Sequence, residues 1–153
     1  MSADSSSAAV AHPFDPGCIF CRIIKGEIPC FRVYEDDEFF GFLDISPVTP
    51  GHVLLLPKGH YPSVLDMPES VGTALLRGIA RLGNATMQTM NAQGFNLLQN
   101  THEAAGQTVF HAHWHIIPRV HGDGFTPWPQ QENPGKERMQ SIADAIHALS
   151  VSD

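Results

Sequence analysis

Apolar positions along the chain change period several times, and the changes mark out the elements. Ile19, Phe20, Ile23 and Ile24 form one stripe between Cys18 and Gly26, which predicts a short helix stopped by glycine. Two strand-like runs follow, Phe31 to Glu35 and Glu38 to Leu43, with Asp36-Asp37 as a tight turn between them. Asp44 to Gly51 reads as a loop stiffened by Pro47 and Pro50. His52 to Pro57 is continuously apolar after its first residue, as a central strand would be. From Pro68 to Asn91 the apolar residues Val71, Leu75, Ile79, Leu82 and Met90 recur at helical spacing. Gly72, Gly78 and Gly83 interrupt that helix, each costing about 1 kcal/mol relative to alanine, and would permit close packing on a partner. Gly94 to Asn100 reads as a fourth strand and Thr108 to Ile117 as a fifth. Gly122, Gly124, Pro127, Pro129 and Pro134 make an irregular stretch around Trp128. Met139, Ile142, Ile146 and Leu149 then predict an amphipathic closing helix, with Pro134 near its start. Strands joined by short connections, interrupted only twice by helix, describe an α+β domain with an antiparallel sheet and a long helix on one face.

Within the fifth strand one pattern stands out: His111, His113 and His115 alternate with Ala112, Trp114 and Ile116. At the two-residue period of a strand all three imidazoles share one face and the apolar residues point into the core. Such a row binds a metal, performs nucleophilic or acid/base chemistry, or is a His-rich solvated face.

Composition narrows the field. A chain of 153 residues suits one domain, expected over 17–153, with residues 1–16 as a Ser/Ala-rich flexible tail. The net charge of −7 argues against bulk nucleic-acid binding. No apolar run approaches the ~20 residues that span a bilayer, and the N-terminus lacks a signal-peptide pattern. Three cysteines suit a reducing compartment, with cytoplasm expected and the nucleus as the alternative.

Two chemistries compete for the histidines. A catalytic zinc site wants three protein ligands and usually a nearby carboxylate, yet Glu103 and Asp123 lie only in the loops flanking the strand. Cys18 and Cys21 supply half a tetrahedral zinc site or are simply two buried thiols. Alternatively, a neutral imidazole attacks phosphorus or acyl carbon once its other nitrogen is fixed. His113, flanked by its neighbours, is best placed for that. Gly106-Gln107-Thr108 and Asn100 offer donors for an oxyanion without net positive charge, which favours a phosphate ester or phosphoramidate.

The run His111-Ala112-His113-Trp114-His115-Ile116-Ile117 resembles the signature of the histidine-triad (HIT) superfamily. Cys18-Ile19-Phe20-Cys21-Arg22-Ile23-Ile24-Lys25-Gly26, Phe42-Leu43-Asp44-Ile45-Ser46-Pro47, Pro50-Gly51-His52-Val53-Leu54-Leu55-Leu56-Pro57 and Ala105-Gly106-Gln107-Thr108 occur in the family's order and spacing. The resemblance covers roughly Gly17 to Trp128 and is nearest the Hint and bacterial Hit branch. It implies a homodimer of five-stranded subunits with the long helix at the interface. It implies hydrolysis of purine nucleoside 5′-phosphoramidates through a nucleotidyl-histidine, or else of dinucleoside polyphosphates. A nucleotide-binding interaction module with slow turnover is the non-enzymatic alternative. By resemblance His113 is the nucleophile, His115 assists the leaving group, and His111 and His52 support them. Asn100, Gln107 and Thr108 match the phosphate and leaving-group positions. Asp44 matches the ribose-binding carboxylate, although by itself it reads as a turn residue. Phe20, Ile23, Phe42, Leu43 and Ile45 match the apolar slot for the base, with Leu43 where some relatives have histidine. Bacterial relatives also suggest a structural zinc on Cys18, Cys21, His60 and His111, and no catalytic metal. His102, His121 and His147 read as surface residues, and Cys30 as a buried or partly buried thiol.

Overall fold

The computed structural model describes residues 12–126 and 128–151. They fall into two units, divided between Asp123 and Gly124. The first contains helix α1 (Ile19–Ile24), strands β1 (Arg32–Glu35), β2 (Phe39–Leu43) and β3 (Val53–Pro57), helix α2 (Gly72–Met90), and strands β4 (Gly94–Gln99) and β5 (Trp114–Arg119). The second contains α3 (Lys136–Ser150), on which Met139, Ile146 and Leu149 are exposed. Tail residues 1–11 lie outside the described residues.

The five strands form one antiparallel sheet in the order β1-β2-β3-β5-β4. Both faces are covered over β2 and β3, which explains why these strands read as continuous apolar runs rather than alternating ones. Phe39, Val53, Leu55, Trp114 and Ile116 point to the α2 side, with Ala74 and Leu82 of that helix. Phe40, Phe42, Leu54 and Leu56 point the other way, onto Phe20, Cys21 and Ile23 of α1.

One expectation needs correction. The histidine-bearing strand begins at Trp114, not Thr108, and runs through Pro118 to Arg119. Its ladder with β3 stops at Leu55↔Trp114. Further along, Pro57 has no N–H to offer, and its carbonyl accepts from His111 Nε2 at 2.8 Å. The Ala112 N–H bonds Tyr61 O at 2.7 Å instead. Side-chain alternation nonetheless persists upstream of the ladder: Ala112 is fully buried in the α2-side core, while His111 and His113 pack against Phe20 of α1.

Two glycines of α2 allow close packing on the protein's own sheet. A Cβ on Gly78 would lie 3.0 Å from Leu55 Cδ2, and one on Gly83 only 2.6 Å from Phe95 Cε1.

Contacts with the domain also occur before residue 17. His60 N–H bonds Pro13 O at 2.8 Å, His12 Nε2 donates to Asp37 O at 2.9 Å, and Lys25 Nζ lies 4.5 Å above the Phe14 ring. His12, Pro13 and Phe14 therefore contact the domain.

Candidate active site and metal centre

The histidines occupy two adjoining clusters on the α1 side of the sheet. Donor and acceptor accounting fixes most of their tautomers, because a carbonyl only accepts and a backbone N–H only donates. His113 Nδ1 lies 2.7 Å from His111 O, so Nδ1 carries the proton. His113 Nε2 is left as a lone pair with no hydrogen bond among the described residues. Val48 N–H donates to His52 Nδ1 at 3.1 Å, so the proton of neutral His52 is on Nε2. That nitrogen faces His115 Nδ1 at 2.9 Å, which must accept, and His115 then carries its own proton on Nε2. The site thus presents a bare imidazole nitrogen on His113 beside an N–H on His115, with ring centroids 5.1 Å apart.

Burial keeps these rings neutral. Desolvation lowers the pKa of His115 to about 4, with the neighbouring histidines adding to the effect and Asp44 opposing it. It also lowers His113 and His52, against the hydrogen bond to His111 O and the attraction of Asp44 respectively. Asp44 accepts from Ser46 N–H at 2.8 Å through Oδ1, the turn role legible in the sequence. Its Oδ2 lies 3.7 Å from His52 Nε2.

In the second cluster Cys18 Sγ and Cys21 Sγ lie 3.5 and 3.6 Å from His111 Nδ1, and Cys21 Sγ lies 3.4 Å from His60 Nδ1. His111 Nε2–H is held by Pro57 O at 2.8 Å, which leaves Nδ1 as the free lone pair toward the thiols. His60 Nε2 lies 3.7 Å from Asp15 Oδ2, a carboxylate able to take the proton side of that ring. The set Cys18, Cys21, His60 and His111 converges within 4.8 Å and fits a tetrahedral Cys₂His₂ zinc centre. Burial raises the Cys21 thiol to about 11 in the metal-free protein, so metal uptake must displace that proton. Asp44, His52 and His115 also converge. They fit a metal poorly, because His52 Nε2 carries the ring proton that Val48 excludes from Nδ1.

The remaining expected residues divide. Phe20, Ile23 and Phe42 form one apolar wall, Phe20 and Phe42 meeting edge to face with centroids 5.7 Å apart. Ile45 is exposed at the end of that strand's following turn. Leu43 is a correction: strand alternation turns it to the α2 face, where it packs with the core around Val53 and Leu82 and lines a separate cavity of about 580 Å³. Its side chain and that of Phe42 thus leave opposite faces of the strand. Thr108 is exposed and Asn100 half-buried. The Asn100 Nδ2 lies 3.7 Å from where a Gly106 Cβ would stand. Gln107 is a second correction, since its side chain is buried and bonded inside the chain: Nε2 donates to Pro62 O at 2.7 Å and Val109 O at 3.1 Å, and Oε1 accepts from His102 N–H at 2.8 Å.

Two contributors escaped sequence reading. Val48 acts through its main chain, which no side-chain pattern reveals. Asp15 sits in the stretch read as tail. Val109 joins the α1-side apolar cluster, on the face that alternation with His111 and His113 predicts.

The HIT domain model matches residues 25–122. The chain belongs to the HIT family. It is 45% identical over 106 residues to an Arabidopsis thaliana protein named adenylylsulfatase HINT3, covering 69% of this chain and 54% of that protein. The HIT chain therefore spans about half the length of that relative. It is 41% identical over 141 residues to the Saccharomyces cerevisiae adenosine 5′-monophosphoramidase HNT1, covering 91% of this chain and 87% of the relative. A HIT family member from Bacillus subtilis superposes with a TM-score of 0.79 at 39% identity, covering 90% of this chain and 99% of that one. A zinc-bound histidine triad protein from Mycobacterium smegmatis superposes with a TM-score of 0.69 at 34% identity, covering 90% and 98%. The family includes nucleotide hydrolases, and the HIT fold carries the triad here on an α+β scaffold.

Proposed function

We propose that this HIT protein hydrolyses purine nucleoside 5′-phosphoramidates to the nucleoside monophosphate and an amine. The observation that carries the reading is the 2.7 Å contact from His113 Nδ1 to His111 O, which leaves His113 Nε2 as a lone pair in a ring that burial keeps neutral. The yeast phosphoramidase relative supports the substrate class.

Attack by His113 Nε2 on the α-phosphorus forms a P–N bond to the protein and breaks the P–N bond to the amine. The His113 ring becomes cationic, and the carbonyl of His111 and the charge of Asp44 stabilise it. His115 directs its Nε2–H toward the leaving nitrogen, and one proton is taken up with the departing amine. Water then attacks phosphorus, restores His113 and releases the nucleotide with one proton. Asp44 Oδ2 accepts the ribose hydroxyls, Phe20, Ile23, Phe42 and Ile45 contact the base, and Asn100 and Thr108 bond the phosphate oxygens.

Zinc bound by Cys18, Cys21, His60 and His111 is structural in this proposal and supplies no step of the reaction. The zinc-bound Mycobacterium smegmatis relative supports its presence. A homodimer working in the reducing cytoplasm completes the reading. Light scattering at micromolar concentration tests the dimer, and a monomer there would overturn it.

The deciding experiment compares turnover of adenosine 5′-phosphoramidate with that of a diadenosine polyphosphate, resolved by chromatography, for the wild type and His113→Ala. Release of AMP from the phosphoramidate, abolished in the variant, is the expected result. Preferential cleavage of the dinucleotide replaces the substrate class and keeps the nucleophile. Binding of AMP without turnover of either compound replaces the enzyme with a nucleotide-binding module.

A further inference from the structure

Between β4 and the triad, residues 100–108 make a loop that holds an uncommon backbone. His102 has φ 68° and ψ 162°. That region is essentially reserved for glycine, and a side chain there is held against its preference by surrounding structure. The group that holds it is Gln107. The His102 N–H donates to Gln107 Oε1 at 2.8 Å, and Gln107 N–H donates back to His102 O at 3.2 Å, an oxygen also bonded by Ala105 N–H at 3.1 Å. Gln107 is itself anchored, with its two amide donors directed to Pro62 O and Val109 O. The residue is 2% exposed, and only one lone pair of Oε1 remains unused.

We propose that Gln107 is a positioning residue rather than a ligand of the phosphate: it clamps His102 in the strained conformation and thereby sets where Asn100 and Thr108 stand beside the triad. Asn100 and Thr108 are the two ends of the loop that the clamp closes. At its apex Gly106 has φ 88° and lies beneath the Asn100 amide. A glutamine contacting substrate would keep an amide N–H for it, and here both ends of the amide are engaged within the chain. The inference rests on the proposed phosphoryl chemistry for its kinetic consequence, and on the loop geometry for the clamp.

The test is a double-mutant cycle of Gln107→Ala and His102→Gly, read in kcat and KM for adenosine 5′-phosphoramidate and in Tm. His102→Gly alone releases the strain and raises Tm by about 2–4 °C, with kcat within about threefold of wild type. Gln107→Ala alone lowers kcat by about tenfold or more with a smaller change in KM. In the His102→Gly background the same truncation costs about threefold or less, because the loop no longer needs the clamp. Equal losses in the two backgrounds mean that Gln107 acts on substrate directly, and overturn the proposal. Coupling seen in Tm without coupling in kcat makes the pair merely structural, and also overturns it. His102→Gly carries the claim even where Gln107→Ala does not fold, because an unchanged or lowered Tm there removes the strain on which it stands. If the wild type turns over no substrate, the proposed reaction has failed separately. The cycle is then read in AMP affinity by calorimetry, with the same criterion.

Discussion

The imidazoles of His52 and His115 meet Nε2 to Nδ1 at 2.9 Å, and the main-chain N–H of Val48 decides which nitrogen of each ring holds the proton. In the proposed reaction His52 therefore acts through His115, whose Nε2–H it keeps in place. Replacing His52 with alanine frees His115 to adopt either tautomer. The expected result is a kcat lowered by about tenfold or more, at the lower end of general acid–base effects, with KM little changed. Two-dimensional ¹H–¹⁵N spectra of histidine-labelled protein should show His115 as a single Nε2–H tautomer in the wild type and as a mixture in the variant. A single tautomer in both would remove His52 from this role.

Buried histidines also set how the fold responds to acid. Burial lowers His111 and His115 to about 4, while an unfolded chain titrates near 6.5. The unfolded state thus binds more protons between those values, and stability falls as pH drops from about 6.5 toward 4. Metal-free protein should lose Tm steadily across that window and show little dependence between pH 7 and 8 from these groups. His115→Phe, which removes one such group, should flatten the slope. An unchanged slope would assign the acid sensitivity elsewhere.

Removing the metal should cost stability more than chemistry. The proposed ligands Cys18, Cys21, His60 and His111 tie α1 and the turn after β3 to a position two residues before the proposed nucleophile His113. Protein isolated without chelator should contain close to one zinc per chain, and Cys21→Ser should fall below about 0.2, as expected for a closed site that has lost a ligand. Chelation should lower Tm, whereas AMP release per folded molecule at a temperature well below that Tm should persist. Loss of activity without loss of fold would give the metal a direct part in the reaction.

Much of this architecture was legible because its signals are local and periodic. The stripes of α1 and α2, and the alternation of His111, His113 and His115 with Ala112, Trp114 and Ile116, depend on side-chain period alone. The register of Phe42 and Leu43 was equally available, since neighbours on a strand face opposite ways. Resemblance places them in one slot, whereas the pleat turns their side chains to opposite faces. The tautomers were not legible. They depend on carbonyls of His111 and Pro57 and on the N–H of Val48, main-chain groups that every sequence supplies and only tertiary structure aims. The early end of the ladder at Trp114 has the same origin, because Pro57 both lacks a donor and lends its oxygen to an imidazole.

The glycine at position 83 gives the sharpest packing prediction. In an exposed helix interior, Gly→Ala stabilises by up to about 1 kcal/mol through propensity. Here a Cβ would stand 2.6 and 2.7 Å from Phe95 Cε1 and Cζ, so the ring of a β4 residue would have to move. Overpacking of this kind costs about 1–3 kcal/mol, and Phe95 is only partly buried against the core, so some relief is available. Because the propensity gain is smaller, the net sign should be destabilising. Gly83→Ala should lower Tm by about 2–4 °C for each net kcal/mol lost. Gly72→Ala, where nothing lies within 4 Å of the added carbon, should leave Tm unchanged or raise it slightly. A Gly83→Ala protein as stable as the Gly72→Ala protein would mean that α2 and β4 are not in the close contact that ties this helix to its own sheet. Thermal unfolding of the three proteins, followed by circular dichroism at one concentration and pH, decides between them.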